Sequence, residues 1–244
     1  MSGHSKWSNI KRKKEKTDAQ KGKIFTKLGR EIAVIVRQGG PDPNSNFKLK
    51  DAISKARSAN MPNENITRCI KKAAGEGSAD NYEEITYEGY GPRGVAVIVE
   101  SLTDNRNRTS SDMKHYFDKF GGNLGATGCV SWMFDRKGVL LVDKESGAEE
   151  EILMMDALDA GAEDFNAEEE YFEIITAPDD FSKVNEALEE KKYQMSSAEI
   201  TMIPQNYIKL EDPEDIKFME KLLEMLEDND DVQNVWHNWE EPEE

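Results

Sequence analysis

Apolar residues recur at helical spacing through the first third of the chain. One stripe begins after Asp18 and predicts a helix that stops at Gly39-Gly40-Pro41. A polar loop over residues 42–46 separates it from a second helix, and Asn63 is expected to cap a third helix after Met61-Pro62. The pattern therefore predicts a three-helix bundle. Its apolar positions are Ile24, Phe25, Leu28, Ile32, Ile35 and Val36, then Leu49, Ala52, Ile53 and Ala56, then Ile66, Ile70 and Ala73.

The pattern changes to that of an α/β unit after a short linker at residues 75–78. Val95–Glu100 is a β-branched apolar run, typical of a strand buried on both faces. A helix should follow, starting at a capping box formed by Thr109 and Asp112 and ending at Gly121-Gly122. Its buried face would carry Met113, Phe117 and Phe120, with Tyr116 beside them.

A third pattern begins after Cys129–Phe134, which predicts a strand, and residues 135–138, which predict a turn. Strand and helix signals then alternate in the order βαββαβ, the ferredoxin-like plan. The predicted elements are a strand at Val139–Val142, a helix with apolar positions Ile152, Met155 and Leu158 that ends at Gly161, strands at 162–165 and 171–176, a helix after Pro178 with Phe181, Val184 and Leu188, and a strand at 198–203.

The pattern restarts after Pro204 with pieces too few to form a domain. They are a short strand at Tyr207–Leu210, an amphipathic helix opened by Pro213 and a strand at Val232–His237. These elements would complete the layers of the central unit. The third unit is therefore predicted to be inserted between the two halves of the second.

Charge divides the chain sharply. Residues 1–75 contain 18 Lys or Arg and 6 Asp or Glu, a net of 18 − 6 = +12. The remainder contains 32 − 18 = 14 basic and 49 − 6 = 43 acidic residues, so its net charge is 14 − 43 = −29. One end of the molecule should therefore be attracted to polyanions, while the other repels them.

Motifs for catalysis or cofactor binding are not apparent. The three histidines lie in different segments without metal-ligand spacing, and two cysteines cannot supply a zinc site. GYGPRG is followed by a strand, whereas a dinucleotide fingerprint needs a helix. Asp179-Asp180 fits a helix start, and Asp228–Asp231 is expected to be a solvated turn. These observations predict a non-enzyme without cofactor or metal; the alternative is a nuclease or RNA-modifying enzyme.

Compartment is indicated by equally simple features. No apolar run approaches the roughly 18 residues of a membrane span, and the start of the chain lacks the apolar core of a secretory signal. Cys69 and Cys129 are expected to be unpaired residues in apolar surroundings. The expected location is the cytoplasm.

The loop Asp104-Asn105-Arg106-Asn107-Arg108 allows two interpretations. In the structural one, Asp and Asn satisfy the turn backbone, and Arg106 or Arg108 pairs with Asp104 or Asp112. In the functional one, the arginines contact a polyanion beside a helix N-terminus. The sequence leaves both open.

The basic tail provides the stronger nucleic-acid signal. Trp7 lies inside it and could either pack on the helical domain or stack on a partner's base. Such a dense positive field is typical of phosphate contact, the alternative being a merely solubilising tail. Its cations, continued into the first helix, are Lys6, Lys11, Arg12, Lys13, Lys14, Lys16, Lys21, Lys23, Lys27 and Arg30.

Several literal phrases, in order along nearly the whole chain, resemble the YebC/PmpR family of probable transcriptional regulators, whose mitochondrial relatives are translational activators. The resemblance implies regulation of gene expression, by DNA binding or by ribosome association that eases stalling at proline-rich stretches. It also implies the inserted arrangement of the third domain. The phrases are GHSKW (3–7), GKIFTKL (22–28), GGPDP (39–43), ANMP (59–62), YEGYGP (87–92), TDNRNRT (103–109), GGNLG (121–125), VSWMF (130–134) and DDVQNVWHN (230–238).

Together these observations predict an α+β protein with three domains. They are a basic helical nucleic-acid-binding domain with a flexible tail (1–80), a discontinuous central α/β domain (81–136 and 206–244) and an inserted ferredoxin-like domain (137–205). The expected partner is nucleic acid, and no membrane or small-molecule substrate is expected. Because no base-reading helix-turn-helix or dimer seam is evident, a monomer that binds ribosomal RNA is favoured over a DNA binder.

Overall fold

The fold is α+β, with an N-terminal helical domain followed by two α/β domains built on antiparallel sheets. A computed structural model describes residues 18–75 and 82–242, with side chains of the first helix described from residue 22. Within these ranges, residues 135–203 form one compact unit, and residues 18–75, 82–134 and 204–242 form the other. The chain thus leaves the larger unit near residue 134, forms the compact unit of residues 135–203, and returns to the larger unit near residue 204.

The helical domain contains the three predicted helices. They are α1 (Asp18–Gly39), α2 (Phe47–Ser58) and α3 (Asn63–Ala74). Asn46 caps α2 by accepting a hydrogen bond from the Leu49 amide, at 3.2 Å. The predicted cap at Asn63 is wrong, because Pro62 occupies the N-cap position and the Asn63 side chain instead accepts from Arg57 Nε. The buried core is Leu28, Ile32, Val36, Leu49, Ala52, Ala56, Met61, Ile66 and Ala73.

The central domain has a four-stranded antiparallel sheet. Its strands are β1 (Glu83–Tyr90), β2 (Ala96–Thr103), β3 (Asn123–Leu124) and β9 (Val232–His237), in the order β3-β1-β2-β9. The last strand of the chain therefore pairs with the second, with Val97 opposite His237 and Val99 opposite Val235. The two halves of this domain share one sheet although residues 135–203 separate them in the chain.

Two helices cover the central sheet. They are α4 (Arg106–Lys119) and α7 (Pro213–Asp228), whose N-cap is Asp212. Val97 and Val99 of β2 contribute to the shared core together with Val95, which directly precedes the strand. The intervening Ala96 and Ile98 are buried as well, so the prediction that this strand is buried on both faces is confirmed. Facing them are Met113, Phe117, Phe120, Met219, Leu222, Leu223 and Leu226.

The start of α4 differs from the prediction. The helix begins at Arg106, and Asn105 is the N-cap because its side chain accepts from the Arg108 amide at 3.1 Å. Thr109 is fully buried in the first turn and makes no capping box. At the other end, Gly121 takes the expected left-handed conformation, with φ of 72°.

The inserted domain has the predicted βαββαβ order, with sheet order β5-β6-β4-β7. Its strands pair antiparallel, as in Val139 with Ile175 and Phe165 with Ile174. Its elements are β4 (Phe134–Asp143), α5 (Glu150–Ala160), β5 (Asp164–Ala167), β6 (Tyr171–Thr176), α6 (Phe181–Glu190) and β7 (Met195–Pro204). The short parallel pair of β8 (Ile208–Lys209) and β10 (Trp239–Glu240) belongs to the other unit.

The transition between the second and third patterns was predicted wrongly. Residues 131–133 form a 3₁₀ turn where a strand was expected, and residues 135–138 continue β4 where a turn was expected. Gly138 lies in the strand, paired with Thr176. A side chain at this position would collide with Thr176 and Phe181, which pack directly over its backbone. The glycine therefore marks close packing rather than a turn.

Helix α5 exists as predicted but presents the opposite face. Leu153 and Ala157 are buried, whereas Ile152, Met155 and Leu158 are 51%, 62% and 47% exposed. The helix is apolar on both sides, so its periodicity does not identify the buried one.

Candidate nucleic-acid interface

Most of the predicted tail residues lie outside the described part of the chain. These are Lys6, Trp7, Lys11, Arg12, Lys13, Lys14 and Lys16, and the side chain of Lys21 also lies outside it. Their contact with nucleic acid, and the two interpretations of Trp7, stay predictions. The described members of the set are Lys23, Lys27, Arg30, Arg106 and Arg108.

Three cations of α1, Lys23, Lys27 and Arg30, contact the C-terminal end of α7 and the residues that follow it. Lys27 Nζ donates to the Glu227 carbonyl at 2.7 Å, and Lys23 forms an ion pair with Asp228. Arg30 donates to the Asp230 carbonyl at 2.8 Å. Because the spacing i, i+4, i+7 places all three on one helical face, they meet the carbonyls and negative dipole of the helix end together. Nucleic-acid contact by these side chains would require these bonds to open.

Asp231 is the centre of this contact. Its Oδ2 atom lies 2.7 Å from Arg108 Nη2, 2.9 Å from Thr109 Oγ1 and 3.1 Å from Thr103 Oγ1. Its Oδ1 atom accepts from Arg30 at 3.1 Å. The residue is only 4% exposed, so one carboxylate joins α1, α4 and the end of β2 in a buried polar network.

The expected solvated turn at Asp228–Asp231 is therefore wrong for Asp231. Burial alone would raise the pKa of Asp231, but hydrogen bonds from Arg108 and Thr109 and the charge of Arg108 outweigh it and lower the pKa. The hydrogen bond between Arg108 and Asp231 also raises the pKa of Arg108, with a further contribution from Asp104. Asp228 itself is 64% exposed at its side chain, so the solvated turn is found there.

The structure separates the two arginines of the Asp104–Arg108 loop. Arg108 pairs with Asp104 at 2.8 Å, as the structural interpretation expected, and with Asp231, which the sequence analysis did not link to this loop. Arg106 is 65% exposed at its side chain and lies 3.9 Å from Glu83. Arg108 is thus part of the fold, whereas Arg106 faces solvent.

A second basic surface, which the sequence analysis did not single out, lies on α3. Arg68, Lys71 and Lys72 are exposed and line a shallow depression together with Thr67 and Glu64. Their spacing of three and four residues puts them on one face, which could have been read from NITRCIKKAA. Only Glu64 in this depression is acidic, so the surface suits an anion.

The turn before β4 is built around a buried carboxylate. Glu88 is 3% exposed and accepts the backbone N–H groups of Gly128, Val130 and Ser131 at 2.7, 2.9 and 2.8 Å. Burial opposes ionisation, but these three hydrogen bonds prevail and lower the pKa of Glu88. The turn exposes Trp132, whose side chain the sequence placed in a strand.

Candidate metal ligands do not cluster within residues 18–75 and 82–242. No group of three or more His, Cys, Asp or Glu in that part could hold a metal ion, and both cysteines there are free thiols. Helices long and apolar enough to span a membrane are likewise not found among the described residues.

A helical domain followed by two antiparallel α/β domains, with the basic residues concentrated in the N-terminal third of the sequence, defines the class of protein. Its family is shown by comparison with known proteins. The chain belongs to the TACO1/YebC family: the model for the TACO1/YebC N-terminal domain matches residues 5–76, and the model for the second and third domains matches residues 82–239.

Close relatives share the full length of the chain. A "Probable transcriptional regulatory protein" of Acetivibrio thermocellus is 68% identical over 98% of this chain and 99% of its own length. One of Ruminiclostridium cellulolyticum with the same description is 64% identical over 100% and 98%. A crystal structure of a conserved hypothetical protein from Aquifex aeolicus matches with a TM-score of 0.82 at 49% identity, covering 94% of each chain.

Proposed function

We propose that this protein is a non-enzymatic, cytoplasmic regulator of gene expression that binds nucleic acid through its basic N-terminal region. The observation that carries the proposal is the charge polarity: +12 over residues 1–75 and −29 over the rest. The description of the relatives as probable transcriptional regulatory proteins supports a regulatory role and nucleic acid as the partner. We favour ribosomal RNA as the target, bound by a monomer.

Two basic surfaces would make the contact. The tail supplies six cations within residues 6–16 and carries Trp7. The α3 surface supplies Arg68, Lys71 and Lys72, which are exposed. The acidic remainder would repel phosphates, so the polyanion is expected to engage the basic N-terminal region.

The choice of RNA rests on the shape of the reader. The sequence shows no clear helix-turn-helix with a base-reading helix, whereas a basic tail can enter a folded RNA. The domain organisation proposed with this function is the one predicted from sequence: helical binding domain 1–80, central domain 81–136 with 206–244, and inserted domain 137–205.

The test is the salt dependence of binding. Each phosphate contact released should reduce the slope of log affinity against log salt by about 0.7 to 0.9. Deleting residues 1–16 should therefore flatten the slope by several contacts and weaken binding to a ribosomal RNA fragment. Lys71→Ala with Lys72→Ala should flatten it by about one to two contacts. Both should leave the melting temperature unchanged, because they leave the buried core intact.

The matched control is Lys217→Ala with Lys221→Ala, two exposed lysines four residues apart on α7. This pair should leave slope and affinity as in the natural protein. The proposal fails if the truncated protein keeps the full slope and affinity. Tighter binding to duplex DNA than to RNA would replace RNA by DNA as the target, and cleavage or modification of the RNA during incubation would favour the enzyme alternative.

A further inference from the structure

Trp132 is the one large side chain that the turn at residues 125–133 exposes to solvent. It is 68% exposed, and its indole N–H is already bonded to the Cys129 carbonyl at 3.0 Å. Tyr90 Oη donates to the same carbonyl at 3.1 Å. The Trp132 side chain is therefore held in place by its polar end while most of its apolar surface faces water.

The turn that carries Trp132 is rigidly supported. Besides accepting three backbone N–H groups through its carboxylate, Glu88 accepts the Gly125 N–H at its carbonyl, at 2.8 Å. Gly125 itself packs so closely on Cys129 that an added Cβ would lie 2.5 Å from its Sγ. Burying a carboxylate is costly unless its hydrogen bonds are satisfied. The hydrogen bonds of Glu88 therefore hold in place a turn whose largest exposed side chain, Trp132, contributes almost nothing to the core.

The surroundings of Trp132 indicate what it binds. Residues 121–134 contain no charged side chain, and the exposed residues of the turn are Ala126, Thr127 and Gly128, all small. Protein-docking surfaces are contiguous apolar patches, whereas within this turn Trp132 is a single exposed ring between small residues, with the exposed Asp135 and Arg136 following it in the chain. A lone, pre-oriented aromatic ring with open access suits another flat ring, and nucleobases stack on such rings irrespective of sequence.

We propose that Trp132 is a second nucleic-acid contact, on which an unpaired base of the bound strand stacks. The inference rests on the proposed function, since the basic N-terminal region is what holds the strand. The stacking contact differs from the phosphate contacts of the basic region, because it releases no counterions. It therefore changes affinity without changing the slope of log affinity against log salt.

The test measures binding of the full-length protein to a fluorescently labelled single-stranded RNA, the same sequence as single-stranded DNA, and the RNA as a perfect duplex. Trp132→Ala should weaken binding to the single strands about 5- to 100-fold at unchanged salt slope. Binding to the duplex, whose bases are already stacked, should stay within about twofold. Trp132→Phe should restore most of the affinity, and Trp132→Leu, which keeps apolar bulk without a ring, should not.

Met155→Ala is the control, since Met155 is 62% exposed but lies on α5 of the inserted domain, outside the proposed binding regions. It should leave single-strand affinity unchanged. The inference is overturned if Trp132→Ala binds single strands like the natural protein, if Trp132→Leu restores affinity as a protein-docking residue would, or if duplex and single strand lose affinity equally. In each of these cases tail-dependent, salt-sensitive binding persists, whereas its absence would sink the proposed function instead.

Discussion

At the scale of single residues, Asp231 shows how a fold can depend on one carboxylate in an acidic segment. Its two oxygens accept hydrogen bonds from four side chains: Arg108, Thr109, Thr103 and Arg30. Removing the charge of Asp231 would weaken the hydrogen bonds of all four. Asp228, three residues earlier, is 64% exposed at its side chain. Neighbouring aspartates therefore differ in what they contribute to stability.

Asp231→Asn should lower the free energy of unfolding by about 2–3 kcal/mol, because it removes the charge that pairs with Arg108 and replaces one accepting oxygen of the buried network by an NH2 donor. Urea or thermal unfolding measures this. Asp228→Asn is the control and should cost at most about 1 kcal/mol, as for exposed ion pairs. Equal costs for the two variants would show that the buried network contributes no more than a surface pair.

The stability contributed by Asp231 should also depend on pH. Its pKa is lower in the folded than in the unfolded protein, so the contribution is complete above the ordinary aspartate pKa of 3.8 and is lost as pH falls below it towards the folded-state pKa. The natural protein should lose stability on acidification from about pH 5 to about pH 3 more steeply than Asp231→Asn. Parallel losses would contradict the lowered pKa.

At the scale of elements, α5 shows the limit of periodicity. Leu153→Ala should cost about 2–5 kcal/mol, because Leu153 is completely buried in the core of the inserted domain. Met155→Lys should change stability by no more than about 0.5 kcal/mol, because Met155 is 62% exposed. Thermal melts of both variants decide which face is inside, and a larger loss for Met155→Lys would reverse the assignment.

Long, one-sided patterns were predictable from the sequence, and two-sided or long-range features were not. The stripes of α1 and α4, the buried β2 and the order βαββαβ follow from the spacing of apolar residues, and the structure confirms them. The face of α5 does not, since both of its faces are apolar. The turn at residues 131–133 looked like a strand because Val130, Trp132 and Phe134 alternate, but Glu88, 40 residues upstream, takes the backbone N–H groups that a strand would have used.

The candidate site was predictable to a similar extent. The density of Lys and Arg in the first helix is visible in sequence, whereas its pairing with the end of α7, some 200 residues later, is not. The surface on α3 could have been found from its spacing alone.

At the scale of the whole molecule, the inserted domain should be removable. The two ends of the central domain meet where it is inserted, since the Gln205 amide donates to the Met133 carbonyl at 2.9 Å. Replacing residues 135–203 by a short glycine-serine linker should therefore leave the remaining protein folded, with cooperative thermal unfolding and the salt-dependent RNA binding of the full chain. Loss of cooperative unfolding would show that the inserted domain is required by its host.

The pairing of β9 with β2 also dictates an order in time. A ribosome synthesises β1, β2 and α4 first, then the whole inserted domain, and only afterwards α7 and β9. Until those arrive, the apolar edge of β2 and the core residues Met113 and Phe117 lack the partners that bury them in the finished protein. The inserted domain can therefore complete its core during synthesis, whereas the central domain is completed only when the C-terminal segment has been made. The aggregation-prone edge of β2 thus stays unpaired while residues 104–231 are translated.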